Sequence, residues 1–166
     1  IAEYLGTSIS KVVNELEKLM LVLPAKSTIT ADDIEKNIGI SKDYNIFELN
    51  NALGKRDIKT ANQIVKYFGD NPKINPFQVV IAALYKYFAT MLRYHLSSDK
   101  SENNARRIFG TNFISQRIQH ARNYTPKKIV DIISLIREYD LKAKGLGNVT
   151  TPVSDLYREL IFKILH

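Results

Sequence analysis

The chain contains no cysteine, no tryptophan and only three histidines among its 166 residues. Without cysteine it can form neither a disulfide framework nor a thiolate metal site, a composition that suits the reducing cytoplasm in which we expect it to reside. His95, His120 and His166 are scattered, with no second histidine three or four residues away. We therefore expect them on helix surfaces or at a terminus, and we expect no metal or other cofactor.

Motifs for phosphate binding and nucleophilic catalysis are also missing. The sequence has no GxxxxGK[ST], GxGxxG or GxSxG pattern, which are the signatures of phosphate-binding loops and of a nucleophile on a tight turn. We therefore expect no catalytic residue in this chain. An enzyme site completed by another domain or another subunit is the alternative that these absences leave open.

No apolar run is long enough to span a bilayer. The most apolar stretch, residues 75–96, is interrupted at Lys86, well short of the roughly 20 apolar residues that a membrane helix needs. Its apolar residues cover most of the helix circumference, which predicts a helix that is buried on more than one side. Asn75 is expected as its N-cap and Pro76 in its first turn. This helix is the predicted centre of the fold.

The rest of the chain is rich in helical patterns. Apolar residues recur at helical spacing, and no segment alternates with period two over a useful length. The expected fold class is all-α, with two helices followed by a helical bundle. Besides the central helix, the predicted helices cover residues 8–23, 31–38, 46–53, 58–68, 105–109, 113–123, 127–144 and 153–165.

Glycine, proline and capping residues mark the expected helix ends. Gly54 is expected to stop the helix before it, and Asp57 to cap the next one. Residues 69–72, Gly-Asp-Asn-Pro, are typical of a turn. Thr125-Pro126 and Thr151-Pro152 are each predicted to open a helix with a cap followed by proline.

Charge divides the chain into two parts. Residues 1–43 contain five lysines and seven acidic residues, a net charge of −2, whereas residues 44–166 contain nineteen basic and ten acidic residues, a net charge of +9. We expect the domain boundary at the turn around residues 41–45. A basic surface of this size favours contact with nucleic acid or with an acidic protein. The alternative is a solvated basic face with no partner.

Basic side chains and tyrosines make nucleic acid a candidate partner. Lysine and arginine position phosphates, but no pattern in this chain reads base edges. Tyr85, Tyr87 and Tyr94 have rings on which bases stack, yet their helical spacing within the apolar run favours core positions. The clustered basic residues are Lys55, Arg56, Lys59, Arg106, Arg107, Arg117, Arg122, Lys127, Lys128, Lys142 and Lys144.

Three stretches carry a family resemblance. They are GTSISKVVNELEKL at residues 6–19, FELNNALGKRDIKTANQIVKYF at residues 47–68, and YDLKAKG at residues 139–145, which precedes a final LxxL helix at residues 156–160. In this order they resemble the C-terminal half of bacterial DNA polymerase III delta subunits. These subunits belong to the clamp loader, which opens the sliding clamp and loads it on primed DNA within the DNA polymerase holoenzyme.

The resemblance implies a domain organisation and a set of partners. Residues 1–43 would be the remainder of an AAA+-like lid domain, and residues 44–166 the C-terminal helical collar domain through which loader subunits oligomerise. The partners would be other loader subunits, of the gamma/tau and delta-prime types. The family's N-terminal AAA+-type domain would be absent from this sequence, so the sliding clamp would be contacted only through that missing domain.

The resemblance also implies roles for single residues. Ser10 would stand at the position of the sensor arginine that contacts nucleotide phosphates in active ATPases, which is consistent with a subunit that does not hydrolyse ATP. Lys142 and Lys144, before the loop at residues 145–150, would lie near primer–template DNA. The expected collar interface uses apolar residues of the 46–68 helix pair and the last helix: Phe47, Leu53, Leu156, Leu160 and Ile164. The alternative function is a stand-alone basic all-α module that binds nucleic acid.

Overall fold

The computed structural model describes residues 9–23, 28, 44–111, 113–147 and 150–166, without the side chains of residues 9–12 and 15. The all-α prediction is confirmed, because these ranges contain eight helices and no strand. The predicted helix at residues 31–38 lies outside the described residues. The helices are α1 (Ile9–Val22), α2 (Ile46–Lys55), α3 (Ile58–Asp70), α4 (Phe77–Leu96), α5 (Glu102–Phe109), α6 (Ile114–Arg122), α7 (Pro126–Ala143) and α8 (Val153–Leu165).

The chain divides into two compact units, Ile1–Tyr44 and Asn45–His166. The boundary expected from the charge pattern, between residues 43 and 44, differs from this division by one residue. Helix α1 belongs to the first unit, and helices α2 to α8 form the second. The second unit contains every surface considered below.

Helix α4 is the centre of the second unit, as predicted. Over its 20 residues it packs against α2, α5, α6 and α7. Leu84, Phe88 and Met91 are completely buried, and burying each such side chain contributes roughly 1.5–3 kcal/mol. Tyr87 and Tyr94 are also buried, which confirms their predicted core positions.

Helices α3 and α8 form the other closely packed pair. The ring of Tyr157 on α8 meets the rings of Phe68 and Phe77 edge-on, with centroids 5.9 and 4.7 Å away. A Cβ atom added to Gly69 would lie 2.9 Å from the Ser154 Cβ atom. The glycine therefore lets the two helices approach each other more closely than a larger residue would allow.

The predicted stop at Gly54 was wrong. Helix α2 continues through Gly54 to Lys55, and Arg56 takes the left-handed conformation (φ 58°) that ends it. A Cβ atom on Gly54 would lie 2.2 Å from the Tyr87 Oη atom and 2.3 Å from the His120 ring. Gly54 is thus a close-packing residue rather than a terminator.

The predicted turn at residues 69–72 begins later than expected. Helix α3 continues through Gly69 and Asp70, and its C-cap is Asn71. The Asn71 amide side chain donates to the Tyr67 carbonyl oxygen at 2.9 Å, which satisfies one carbonyl of the last helical turn.

Two of the predicted caps are confirmed. Asp57 accepts a hydrogen bond from the Thr60 backbone N–H at 3.0 Å, and Thr125 accepts one from the Lys128 N–H at 3.2 Å. The other two were wrong, because Pro76 and Pro152 themselves occupy the N-cap positions of α4 and α8 in extended conformation. Proline fixes φ, but its ψ stays free to take this extended value.

Candidate interaction surfaces

The predicted collar interface is largely inside the core. Phe47 is 83% exposed, so it is available to a partner, but four of the five predicted side chains are buried. Each lies on the face of α2 or α8 that packs against neighbouring helices, and helical periodicity alone does not distinguish an inner apolar face from an outer one. The four buried residues are Leu53, Leu156, Leu160 and Ile164.

Other apolar residues of the same helices are exposed instead. Phe162 on α8 is 60% exposed, and Ile58 at the start of α3 is also exposed. The Phe162 ring stacks on the His166 ring at 4.3 Å. Phe47 lies in the first turn of α2, where the Asn45 side chain accepts from its backbone N–H at 2.9 Å. This cap holds the Phe47 backbone in place while its ring projects into solvent.

The predicted DNA-proximal lysines are both ion-paired. Lys142 Nζ lies 2.7 Å from a Glu138 carboxylate oxygen, and Lys144 Nζ lies 2.6 Å from a carboxylate oxygen of Asp140. The hydrogen bond from Lys142 lowers the pKa of the Glu138 carboxyl, so the pair holds one positive and one negative charge at neutral pH. Since each pair is close to neutral, this end of α7 attracts phosphate weakly.

A groove of about 600 Å³ runs between α4 and α7. Its floor includes Ile81 and Ile133, and its rims include Tyr85 and Arg137. Tyr85 is 53% exposed, so of the three tyrosines it is the one the core prediction missed. The Ser134 hydroxyl donates to the Val130 carbonyl oxygen at 3.1 Å, and no histidine lines the groove to act as its base. The Ser134 hydroxyl is thus held in a bond to its own helix.

A buried polar cluster lies where α2, α4 and α6 meet. His120 is only 2% exposed, so the expectation of a surface or terminal role was wrong for it. Its Nδ1 atom is 2.9 Å from the Tyr87 hydroxyl, and its Nε2 atom is buried without a hydrogen-bond partner among the described residues. The Arg117 guanidinium lies 4.1 Å from the centre of the Tyr87 ring. The sequence contains no local signal for this cluster, because Tyr87 comes from α4 and His120 and Arg117 come from α6.

The electrostatics of this cluster oppose a charged imidazole. Burial, followed by the positive charges of Arg117 and Lys55, lowers the pKa of His120 to about 4. Burial also raises the pKa of Tyr87. At neutral pH both groups are uncharged and remain so, which is typical of a structural polar contact and not of an acid–base catalyst.

The remaining predicted sites are Ser10, His95 and possible metal ligands. Ser10 belongs to α1, and its side chain lies outside the described residues. His95 Nε2 donates to the Ala121 carbonyl oxygen at 2.8 Å, which ties the end of α4 to α6. Across the described ranges, no three histidine, aspartate or glutamate side chains are grouped so as to hold a metal ion.

The chain was compared with protein families, curated proteins and solved structures. No protein family, no curated protein and no solved structure gave a significant match to this chain. Within the part of the chain that is described, no helix combines the length and the apolar character that crossing a bilayer requires.

Proposed function

We propose that this chain is part of a delta-type subunit of a bacterial DNA polymerase III clamp loader, where it acts as a non-catalytic assembly module. Residues 1–43 would be the remainder of the lid domain and residues 44–166 the collar. The collar would join subunits of the gamma/tau and delta-prime types into the cytoplasmic ring that opens the sliding clamp. The motifs at residues 6–19, 47–68 and 139–145 support this assignment.

The observation that carries the proposal is the separation of a helical bundle from the first unit at Tyr44 and Asn45. The motif at residues 47–68 coincides with α2, its turn and most of α3, and the motif at residues 139–145 coincides with the end of α7. Two of the three family motifs thus fall on helices of the same bundle. Aromatic side chains are enriched at the centre of protein interfaces, and this bundle leaves Phe47 and Phe162 exposed.

A non-catalytic role agrees with the chemistry of the described residues. The buried histidine contacts a tyrosine hydroxyl whose pKa burial raises, and neither group faces the groove between α4 and α7. The Thr60 hydroxyl donates to the Asp57 carboxylate at 2.7 Å, but this pair belongs to the N-cap of α3 and does not line the groove. In this proposal ATP is hydrolysed by partner subunits, and this chain contributes ring geometry.

The collar contact is best tested through the exposed aromatic residues. Phe47 and Phe162 replace the buried leucines and isoleucine as the expected interface anchors. An aromatic side chain at an interface centre typically contributes about 2 kcal/mol or more, which is roughly a 30-fold change in affinity. We therefore expect F47S and F162S each to weaken binding to the collar domain of an ATPase loader subunit from the same organism.

Size-exclusion chromatography with light scattering would measure complex formation, and titration calorimetry its affinity. F113S is the matched control, because Phe113 is equally exposed but lies between α5 and α6. We expect the control to bind like the wild type. A wild-type chain that stays monomeric at micromolar partner concentrations would contradict the proposal and favour a stand-alone nucleic-acid-binding module.

A further inference from the structure

One end of the second unit brings together two turns that are far apart in the sequence. Asn123 donates from Nδ2 to the Gly54 carbonyl oxygen at 2.8 Å, and the Tyr124 hydroxyl donates to the Leu53 carbonyl oxygen at 2.5 Å. These bonds place the turn between α6 and α7 beside the turn between α2 and α3. Both turns are rich in lysine and arginine. In the sequence these basic residues form two separate clusters, and the fold brings the two clusters together.

The last turn of α8 lies at the same end. Arg56 Nη2 donates to the Leu165 carbonyl oxygen at 2.7 Å, and Lys128 Nζ donates to the Lys163 carbonyl oxygen at 3.4 Å. Carbonyl groups in the last turn of a helix have no partner within the helix, so the two cations satisfy them. Arg56 and Lys128 therefore have a structural role in addition to their charge.

The two turns form what we name the basic surface: Lys55, Arg56, Lys59, Arg122, Lys127 and Lys128. Its one acidic residue is Asp57, whose pKa is lowered mainly by hydrogen bonds from Thr60, so it is ionised at neutral pH. Six cations and one anion leave a net charge of +5. Lys55, Lys59, Arg122 and Lys127 are exposed and have no carboxylate within ion-pairing distance among the described residues.

The basic surface is remote from the lysines expected near DNA. Lys128 and Lys142 are fourteen residues apart on α7, which corresponds to about 21 Å along the helix axis. Lys142 and Lys144 are neutralised by adjacent carboxylates, whereas four cations of the basic surface are not. The N-terminal end of α7, where the basic surface lies, therefore attracts a polyanion more strongly than the C-terminal end, where Lys142 and Lys144 lie.

We propose that the basic surface binds the sugar–phosphate backbone of a nucleic acid duplex. Phosphate contacts require cations and no groups that read base edges, which is what these two turns provide. The N-termini of α3 and α7 lie here together with the C-termini of α2, α6 and α8, so the helix dipoles add no net positive charge and the attraction comes from the side chains. The only aromatic ring in the two turns, Tyr124, is buried and cannot stack on an unpaired base, which favours a duplex over a single strand.

An acidic protein is the competing class of partner. Protein interfaces combine charge with an apolar core. The exposed large apolar side chains here are Ile58 in the two turns and Phe162 in the adjacent last turn of α8, whereas the two turns contribute six cations. The basic surface therefore fits a phosphate backbone better than a protein. This inference does not depend on the loader proposal, because it rests on the charges of the two turns and needs no second subunit.

The test is fluorescence anisotropy of a labelled DNA duplex of about 20 base pairs, titrated with the chain at salt concentrations from about 50 to about 300 mM. The variant K55Q/K59Q/K127Q removes three exposed lysines of the basic surface, none of which donates a side-chain hydrogen bond described in the structure. The matched control K66Q/K73Q/K86Q removes the same charge from exposed lysines of other surfaces. Circular dichroism would confirm that the three proteins unfold at the same temperature.

We expect the affinity of the wild type to fall linearly with salt on logarithmic axes. Each phosphate contact contributes about 0.9 to the slope, so the basic-surface variant should have a slope shallower by roughly 2–3 units. The control slope should stay within about half a unit of the wild type. Equal slopes for the two variants would overturn the proposal.

Two further outcomes would also overturn it. In the first, K142Q/K144Q has a shallower salt slope than the wild type and the basic-surface variant does not. This result would place the phosphate contact at the C-terminal end of α7. The other is equally tight binding of polyglutamate at matched charge concentration, which would indicate an acidic protein as the partner. Failure of the chain to bind a loader collar would leave the duplex titration unaffected, so the two proposals fail separately.

Discussion

The buried His120 imidazole predicts a specific dependence of stability on pH. In the unfolded chain a histidine has a pKa near 6.5, whereas burial and the charges of Arg117 and Lys55 lower the pKa of His120 to about 4 in the folded state. His120 lies in the last turn of α6, where the helix dipole favours a cation by up to about 2 kcal/mol. Desolvation outweighs this effect, because the ring is almost completely buried.

The sign of the effect follows from proton binding. Between about pH 6.5 and pH 4 the unfolded state binds a proton that the folded state does not, so protonation favours unfolding. The contribution of His120 to stability is therefore fully present above pH 6.5 and is lost as the pH falls toward 4. At about 1.4 kcal/mol per pKa unit, the loss between pH 7.5 and pH 5.0 is roughly 2 kcal/mol.

Urea unfolding followed by circular dichroism at several pH values between about 5 and about 7.5 would measure this loss. H120N is the control, because its side chain can still reach the Tyr87 hydroxyl but does not titrate. The difference in unfolding free energy between the wild type and H120N should shrink by about 2 kcal/mol as the pH falls through this range. A difference that is independent of pH, or an NMR titration of His120 with a pKa near 6.5, would refute the reasoning.

Three core substitutions give further predictions, each measured as the free energy of urea unfolding. Gly54→Ala should cost about 1–3 kcal/mol, because its Cβ would overlap the Tyr87 hydroxyl and the His120 ring, although alanine favours the helix itself by about 1 kcal/mol. Gly69→Ala should cost less, since its closest contact is 2.9 Å rather than 2.2 Å, and a larger loss at Gly69 than at Gly54 would contradict this ranking. Phe88→Ala should cost roughly 3–5 kcal/mol, and an unchanged free energy of unfolding would mean that α4 is not the core.

Much of the fold follows from local patterns. The apolar run predicts the position and the burial of α4, and the residues Asp57 and Thr125 predict where α3 and α7 begin. Gly110 takes a left-handed conformation (φ 61°) and ends α5, at the place where the sequence predicts a break. These features depend on interactions within a few residues, so helical periodicity and capping chemistry are sufficient to predict them.

The surfaces follow from contacts between segments that are far apart in the chain. Periodicity places Leu156 and Phe162 on an amphipathic helix, but only the packing of α8 against α3 and α7 decides that the first is buried and the second exposed. Because it is a glycine, Gly54 is predicted from the sequence to stop a helix. Its role as a packing residue depends on Tyr87 and His120, which belong to other helices.

The sequence by itself determined the fold class, most helix positions and the excess of positive charge in residues 44–166, because these depend on composition and short-range spacing. Only the tertiary structure decided where that charge gathers. The bonds from Asn123 and Tyr124 to the end of α2 bring Lys55 beside Lys127, while α7 keeps Lys142 about 21 Å away from Lys128. A site built from separate helices is specified by their packing, and no local pattern encodes it.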